Sequence, residues 1–324
     1  MDFIYYPVSG VLWFWHKLFS YVLSPDSGIT WALAIMFLVF TIRILLVKPM
    51  ANQLRSSRKM QEMQPKMQEL QRKYKNDRQT LAIEMRKLQK EMGVNPLASC
   101  LPMLVQMPIF LGLFHVLRSF NRTGTGVGQL GMTVEETRST PNYFFGVDEV
   151  QSFLDARIFG TPLSGFISMD PANYRAFSAD GHVDFTRTNI ILVVVPLMLL
   201  ASVLMHFSAR MSMDRAAKRR AENPIKANDP KAMQSQMQMD MMQKLMLWVM
   251  PVLYLMGGFA WQVGLALYMA TNMTWSYLQQ YFLYKKMDAE EEAEKEAIAA
   301  SKRTSAPKVG ARPDNPKKKG KKRK

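Results

Sequence analysis

Cysteine is almost absent from this sequence, which has one, Cys100, among 324 residues. A single cysteine excludes a disulfide framework and a cysteine-based metal cluster. The sequence also shows no paired nucleophile and base, no metal-ligand spacing and no phosphate-binding loop. We therefore expect no enzyme, no metal site, no cofactor and no small-molecule substrate.

Hydrophobic residues make up 48% of the chain and are concentrated in blocks. The blocks are roughly 15–20 residues long, which is close to the length that a helix needs to cross a bilayer. We predict an all-α integral membrane protein with five transmembrane helices. The predicted spans are 30–50, 96–118, 188–208, 244–260 and 263–284.

Charge divides the connecting segments into two groups. A predicted helical hairpin at 51–95 holds 11 Lys/Arg against 5 Asp/Glu, and 209–243 and 285–324 are also basic. The long loop at 119–187 is the reverse, with 5 Lys/Arg against 8 Asp/Glu. Because cytoplasmic loops are enriched in Lys and Arg, we predict that the basic segments are cytoplasmic and that 119–187 is extracytoplasmic. The N-terminus is then outside and the C-terminus is in the cytoplasm.

The N-terminal segment at 1–29 is apolar and aromatic, but no basic stretch precedes it, so it does not resemble a cleavable signal. We predict an amphipathic helix in the membrane interface, with a first transmembrane span as the alternative. His16 and Lys17 are predicted to lie opposite the apolar face, which carries Val11, Leu12, Phe14, Trp15, Leu18, Phe19, Val22 and Leu23. A second apolar piece, at 158–167, is predicted to dip into the interface.

Arg43 lies within the predicted first span, about 7.5 Å inside its Lys48 end at ~1.5 Å per residue. Insertion scales put the cost of arginine at a span centre at roughly 2.5–3.5 kcal/mol. Either the side chain reaches back to the cytoplasmic interface, or polar groups from other spans surround it.

Two other spans carry polar groups at membrane depth. Gln106 is near the middle of the second span, where Pro102 and Pro108 each free a backbone carbonyl. The fifth span carries a polar stripe at helical spacing: Tyr268, Asn272, Ser276 and Gln279. These groups could simply hydrogen-bond neighbouring helices. If they converge on Arg43, they line a positively charged hydrophilic groove that attracts polar parts of an arriving chain while apolar parts slide into lipid.

The segment NPLASCLPMLVQMPIF at 95–110 closely resembles the second-span signature of the YidC / Oxa / Albino family of membrane protein insertases. Residues 43–49 and the Met/Gln-rich hairpin look like that family's groove arginine and cytoplasmic hairpin, and 242–251 and 263–272 resemble its last two spans. The resemblance implies a groove open to the cytoplasm and lipid and closed to the outside. When the family's residues are matched to this sequence, its groove arginine corresponds to Arg43 and its second-span glutamine to Gln106. Its fifth-span aromatic pair corresponds to Tyr268 and Met269, and Met269 departs from the aromatic usually found there. Asn272 and Ser276 join this predicted client-binding set from the polar stripe.

The resemblance also implies partners. These are nascent membrane proteins as clients, the ribosome and the Sec translocon, in the lipids of a bacterial plasma membrane. The tail at 285–324 is predicted to be basic and disordered apart from an acidic helical piece at 288–300, and its basic end is expected to bind ribosomal RNA phosphates. Two other functions compete with insertion. A small-anion channel or transporter would use Arg43 as its binding charge, although no inverted repeat is visible. A scaffold or chaperone would hold helices without inserting them.

Overall fold

The computed structural model describes residues 2–93, 101–124, 130–222 and 230–305, and most of them are helical. The α-helices are α1 Asp2–Ser20, α2 Gly28–Lys73, α3 Arg78–Glu91, α4 Leu101–Arg118, α5 Val134–Ser139, α6 Val147–Asp155, α7 Arg187–Glu222, α8 Pro230–Gly257 and α9 Val263–Ser305. A two-stranded antiparallel hairpin, β1 Arg157–Ile158 and β2 Thr161–Pro162, and a 3-10 helix, Pro171–Phe177, lie between α6 and α7. The chain divides into two compact units, Met1–Tyr277 and Leu278–Lys324.

Within the described residues, two helical segments are long and apolar enough to cross a membrane, Gly28–Met60 and Arg187–Lys218. Leu104–Arg118 is a shorter apolar helix. The start of the predicted second span, including Asn95, Pro96 and Cys100, lies outside the described residues.

Several helices are longer than the predicted spans. The predicted division between 30–50 and 51–95 does not coincide with a helix end, because α2 continues without a break to Lys73. Met50, Ala51, Gln53 and Leu54 are good helix formers, so nothing after Pro49 stops the helix. In the same way, α7 extends beyond 208 to Glu222, and α8 begins at Pro230, before the predicted 244.

The acidic helical piece predicted at 288–300 is part of α9, which is helical throughout 285–305, so disorder does not describe this part of the tail. This stretch is rich in Ala, Glu and Lys, which favour helix, and Lys295 Nζ lies 3.0 Å from Glu291 Oε1 one turn away. The basic end of the tail, 306–324, lies outside the described residues.

The turn of the hairpin lies between α2 and α3, and Asp77 is the N-cap of α3. Its carboxylate accepts hydrogen bonds from the Thr80 hydroxyl at 2.5 Å and from the Thr80 backbone N–H at 3.0 Å. These bonds favour the charged form, so the pKa of Asp77 lies below its ordinary value. The capping bonds explain why α3 begins directly after this turn.

The packed face of α1 differs from the prediction. His16, expected on the polar side, is buried, and its ring stacks on Trp31 with 3.7 Å between centroids. Its Nε2 lies 3.0 Å from the Pro25 carbonyl oxygen, which satisfies one ring nitrogen. Phe14 and Leu18, expected on the apolar face, are exposed. The prediction was wrong because an aromatic partner and a nearby carbonyl allow a histidine to be buried.

The segment at 119–187 is packed against the start of α2. The indole of Trp31 donates to Ser152 Oγ on α6 at 3.1 Å, and the Ser152 hydroxyl donates to the Pro25 carbonyl at 2.9 Å. Around the indole lie three aromatic rings that are almost fully buried: Phe120, Phe145 and Phe153. These aromatic contacts hold the 119–187 segment against the N-terminal end of α2.

A side chain on α7 donates a hydrogen bond to a backbone carbonyl of α8 that a proline leaves without its helical donor. Pro251 has no N–H, so the carbonyl of Leu247, four residues earlier, loses its helical donor. His206 Nδ1 lies 3.0 Å from that carbonyl oxygen, and its ring packs against Trp248 at 4.9 Å between centroids. Because a carbonyl oxygen only accepts, Nδ1 carries the hydrogen. His206 therefore joins α7 to α8 at the proline break.

Replacing His206 with phenylalanine is expected to destabilise the protein by about 1 kcal/mol, since the Leu247 carbonyl loses its donor while the ring packing is kept. Thermal unfolding in mild detergent, followed by circular dichroism, measures this. His206→Asn is the matched control, because its amide can donate from nearly the same position and should retain most of the stability. If His206→Phe unfolds at the same temperature as the parent protein, the hydrogen bond does not stabilise the helix pair.

Candidate functional site

The guanidinium of Arg43 lies between α2 and α9 and is hydrogen-bonded. Nε donates to Asn272 Oδ1 at 2.8 Å, and Nη2 donates to Ser276 Oγ at 2.7 Å. The Ser276 hydroxyl donates in turn to the Asn272 carbonyl at 2.8 Å, so its hydrogen is used and its oxygen is free to accept. Arg43 is only 6% exposed. The charge is therefore held in the packed part of the molecule by two neutral side chains.

Arg43 forms no ion pair within the described residues. A guanidinium has five N–H donors, and Asn272 and Ser276 occupy two of them. The other donors remain for water or for acceptors on another molecule. The net positive charge of the site is likewise not cancelled by a carboxylate within the described part of the chain.

A second pair of polar groups joins α4 to α9. Gln106 Nε2 donates to the hydroxyl oxygen of Tyr268 at 2.6 Å, and Tyr268 is 1% exposed. Tyr268 and Asn272 are four residues apart on α9, so they lie on the same face of that helix. The two pairs therefore meet along one face of α9.

Tyr254 on α8 completes the arrangement, and the sequence reasoning did not identify it. Its hydroxyl donates to Met269 Sδ at 2.7 Å. The available signal was that Tyr254 is the one hydroxyl-bearing side chain in the apolar stretch 245–257. Seven residues on four helices make up this arrangement, which we call the polar cluster: Arg43, Gln106, Tyr254, Tyr268, Met269, Asn272 and Ser276.

The structure places all six predicted site residues in the polar cluster. The alternative in which Arg43 reaches back to the interface beside Lys48 does not fit its hydrogen bonds to α9. That these residues contact a client stays a prediction. Within the described residues, no group of three or more His, Cys, Asp or Glu side chains could hold a metal ion.

Backbone hydrogen bonds join two segments at one end of the bundle. The segment at 163–168 runs beside the α8–α9 turn. Ser168 N–H donates to the Phe259 carbonyl at 3.2 Å, Val263 N–H to the Gly165 carbonyl at 2.9 Å, and Gly264 N–H to the Leu163 carbonyl at 2.8 Å. Leu163, Phe166 and Ile167 are buried against the protein, and the prediction that 158–167 dips into the interface stays a prediction. We call this pairing the backbone seal.

Gly264 permits the close approach at the backbone seal. A Cβ at this position would lie 3.3 Å from the Leu163 carbonyl oxygen and 3.2 Å from Ile35 Cδ1. Ile35 lies beside Gly264, and Arg43 is eight residues further along α2, about 12 Å at 1.5 Å per residue. Buried apolar side chains lie between the two on α2: Leu38 and Val39.

Comparison with known proteins places the chain in a family. A family model described as 60Kd inner membrane protein matches residues 22–291, which contain the whole polar cluster. The chain belongs to the 60Kd inner membrane protein family. This confirms the resemblance drawn from residues 95–110. With its helical fold and long apolar helices, this 60Kd inner membrane protein family member is an all-α membrane protein.

Relatives in the 60Kd inner membrane protein family are similar over most of the chain. A protein named membrane protein insertase YidC from Mycobacterium tuberculosis (strain CDC 1551 / Oshkosh) is 44% identical over 97% of this chain and 80% of its own length. The protein of that name from Mycobacterium leprae (strain TN) is 42% identical over 97% of this chain and 77% of its own length. One from Streptomyces avermitilis is 31% identical over 88% of this chain and 58% of its own length.

Proposed function

We propose that this protein is a membrane protein insertase that works without a bound cofactor. The observation that carries the proposal is the buried Arg43, whose hydrogen-bond partners are neutral and whose remaining donors are unused by the described residues. An intramembrane charge of this kind is expensive and marks a pathway or binding site. The names of the relatives support insertion as the activity.

The polar cluster lowers the cost of bringing a polar client segment into the membrane. Carboxylate or carbonyl oxygens of the segment accept hydrogen bonds from the Arg43 guanidinium instead of losing water without compensation. The Tyr268, Asn272 and Ser276 side chains extend this polar surface along α9. The apolar part of the client then moves sideways into lipid, where burial of its side chains is favourable.

We further propose five transmembrane spans with the N-terminus outside and the C-terminus in the cytoplasm of a bacterium. In this orientation the backbone seal closes the outer end, and the groove opens toward the α2–α3 hairpin. The basic hairpin, the 209–243 loop and the tail face ribosomes that deliver clients. Cooperation with the Sec translocon and contact with membrane lipids belong to the same proposal.

Reconstitution of the full-length protein tests the proposal against its alternatives. Liposomes with and without the protein receive a single-span client with a short acidic tail, and protection of the tail from external protease measures insertion. We expect protection only in the vesicles that contain the protein. Client that stays bound yet fully cleavable would indicate a holding chaperone. Anion flux without client, together with no insertion, would indicate a channel or transporter.

A further inference from the structure

The tip of the β1–β2 hairpin carries an aromatic side chain in an unusual backbone conformation. The two loop residues, Phe159 and Gly160, have φ angles of +49° and +74°. Positive φ at both positions is the geometry of a type I′ turn, which favours Asn-Gly or Asp-Gly. A bulky residue there is an outlier that turn chemistry does not explain. Phe159 is also 86% exposed.

The hairpin tip is held in a fixed place. Gly28, the first residue of α2, lies directly against the β1 backbone, and a Cβ there would be 1.9 Å from the Arg157 carbonyl oxygen. The Arg157 side chain donates to the carbonyls of Leu154 and Asp155, both at 2.9 Å. Phe159 is therefore presented by a rigid support, which is how binding groups are usually positioned.

Behind the tip lies a cavity of about 370 Å³ between the hairpin, α7 and α9. Its walls are mostly apolar and include Ile158, Phe159, Leu192, Val193, Leu197 and Leu267. Leu192 is 67% exposed, and Ile191, Leu199 and Leu200 are exposed on the same helix. Because α7 is apolar and long enough to cross a membrane, the cavity is continuous with a surface that faces lipid chains.

One end of the cavity is polar. Asn189 lies at its wall near the start of α7, and its Oδ1 accepts hydrogen bonds from the Thr186 N–H at 2.9 Å and hydroxyl at 2.6 Å. Within the described residues its Nδ2 group donates no hydrogen bond. Arg187, two residues earlier, is exposed but does not line the cavity, and its Nη2 donates to the Met169 carbonyl at 3.3 Å. An amide donor at the end of an apolar slot suits an ester oxygen attached to a hydrocarbon chain.

We propose that this cavity binds an acyl chain of a membrane phospholipid, with the ester at the Asn189 amide and Phe159 inserted among the lipid chains. The site is distinct from the polar cluster and does not depend on the insertase proposal. It explains how an exposed phenylalanine is tolerated at a strained turn position, since burial in lipid offsets both costs.

Photolabelling of the full-length protein in lipid nanodiscs tests the site. The probe is a phosphatidylglycerol with a diazirine in one acyl chain, and labelled peptides are identified by mass spectrometry. We expect labelling in 157–160 and 187–197. Phe159→Asn should lower it about tenfold, and Leu192→Trp, which fills the mouth, should also lower it. Phe144→Asn is the matched control, a half-exposed aromatic on the same loop outside the cavity, and should leave labelling unchanged.

Two further readouts separate lipid binding from misfolding and from client contact. Phe159→Asn should unfold at the same or a higher temperature, because asparagine suits the turn. Asn189→Asp keeps the acceptor for Thr186 but removes the Nδ2 donor and adds negative charge, so labelling should fall several-fold. Equal labelling of the parent, Phe159→Asn and Leu192→Trp proteins would overturn the site. Unchanged labelling of Asn189→Asp, or displacement of the lipid by a nascent client, would also overturn the proposal.

Discussion

Replacing Arg43 with alanine is expected to lower client insertion at least tenfold while lowering thermal stability only moderately. Hydrogen bonds to a charged group contribute about 1.5–3 kcal/mol each, so losing those offered to a client slows insertion by one or two orders of magnitude. The stability of the folded protein changes less, because removing the charge also removes a burial cost of roughly 2.5–3.5 kcal/mol. This offsets much of the roughly 3–6 kcal/mol that the two bonds to Asn272 and Ser276 contribute. Protease protection of a short-tailed client and thermal unfolding in detergent measure the two effects.

The control for Arg43 is Lys48→Ala, which removes an exposed cation five residues further along the same helix. It should insert clients almost normally, because Lys48 is not in the polar cluster. Arg43→Lys should be intermediate, since an ammonium keeps the charge but has no planar fork to hold Asn272 and Ser276 together. If Arg43→Ala, Arg43→Lys and Arg43→Glu all insert clients equally well, the charge has no part in insertion.

Replacing Gly28 with alanine is expected to cost about 3 kcal/mol or more, the largest stability loss that we predict for one added methyl group. The new Cβ would lie 1.9 Å from the Arg157 carbonyl oxygen and 2.3 Å from its carbon. Both are backbone atoms of the hairpin, so no side-chain movement relieves the clash. The hairpin must leave α2, which exposes the packed layer beneath the loop. Thermal unfolding and trypsin cleavage within 130–187 are the measurements.

Gly10→Ala is the matched control for Gly28. Its Cβ would lie 3.2 Å from the ring of Phe144, a side chain that is half-exposed and can move. Alanine also favours the middle of a helix. We expect its stability to stay within about 0.5 kcal/mol of the parent protein. Equal stability of Gly28→Ala and Gly10→Ala would show that the hairpin is not tightly seated on α2.

The polar cluster could be predicted because its residues on α9 recur at helical spacing. Residues four apart on α9 must share a face, and a charge within an apolar helix requires polar neighbours. The sequence could not say which members of the stripe Arg43 contacts, since that depends on the rotation of α2 against α9. Tyr254 was missed because it is the single hydroxyl in an apolar helix, and no periodic pattern of polar residues identifies it.

The packing of the 119–187 segment could not be predicted from local sequence. Its composition predicted a long loop, whereas its packing depends on contacts between distant residues. Trp31 and Ser152 are 121 positions apart. The burial of His16 likewise depends on Trp31 and on the Pro25 carbonyl, neither of which lies on α1. Such contacts depend on the folded arrangement, so the residue pattern of a single segment does not indicate them.

The backbone seal has a consequence for how this sequence can change. All three of its bonds join main-chain atoms, so every amino acid except proline can supply the donors at 168, 263 and 264. Substitutions along 163–168 can therefore accumulate while this pairing stays intact, provided that the buried side chains keep their size. Gly264 is the tightest of these positions, because a Cβ there would lie 3.2 Å from Ile35 Cδ1 and 3.3 Å from the Leu163 carbonyl oxygen, so these neighbours would have to shift slightly. The pairing thus tolerates most changes of side chain at its own positions.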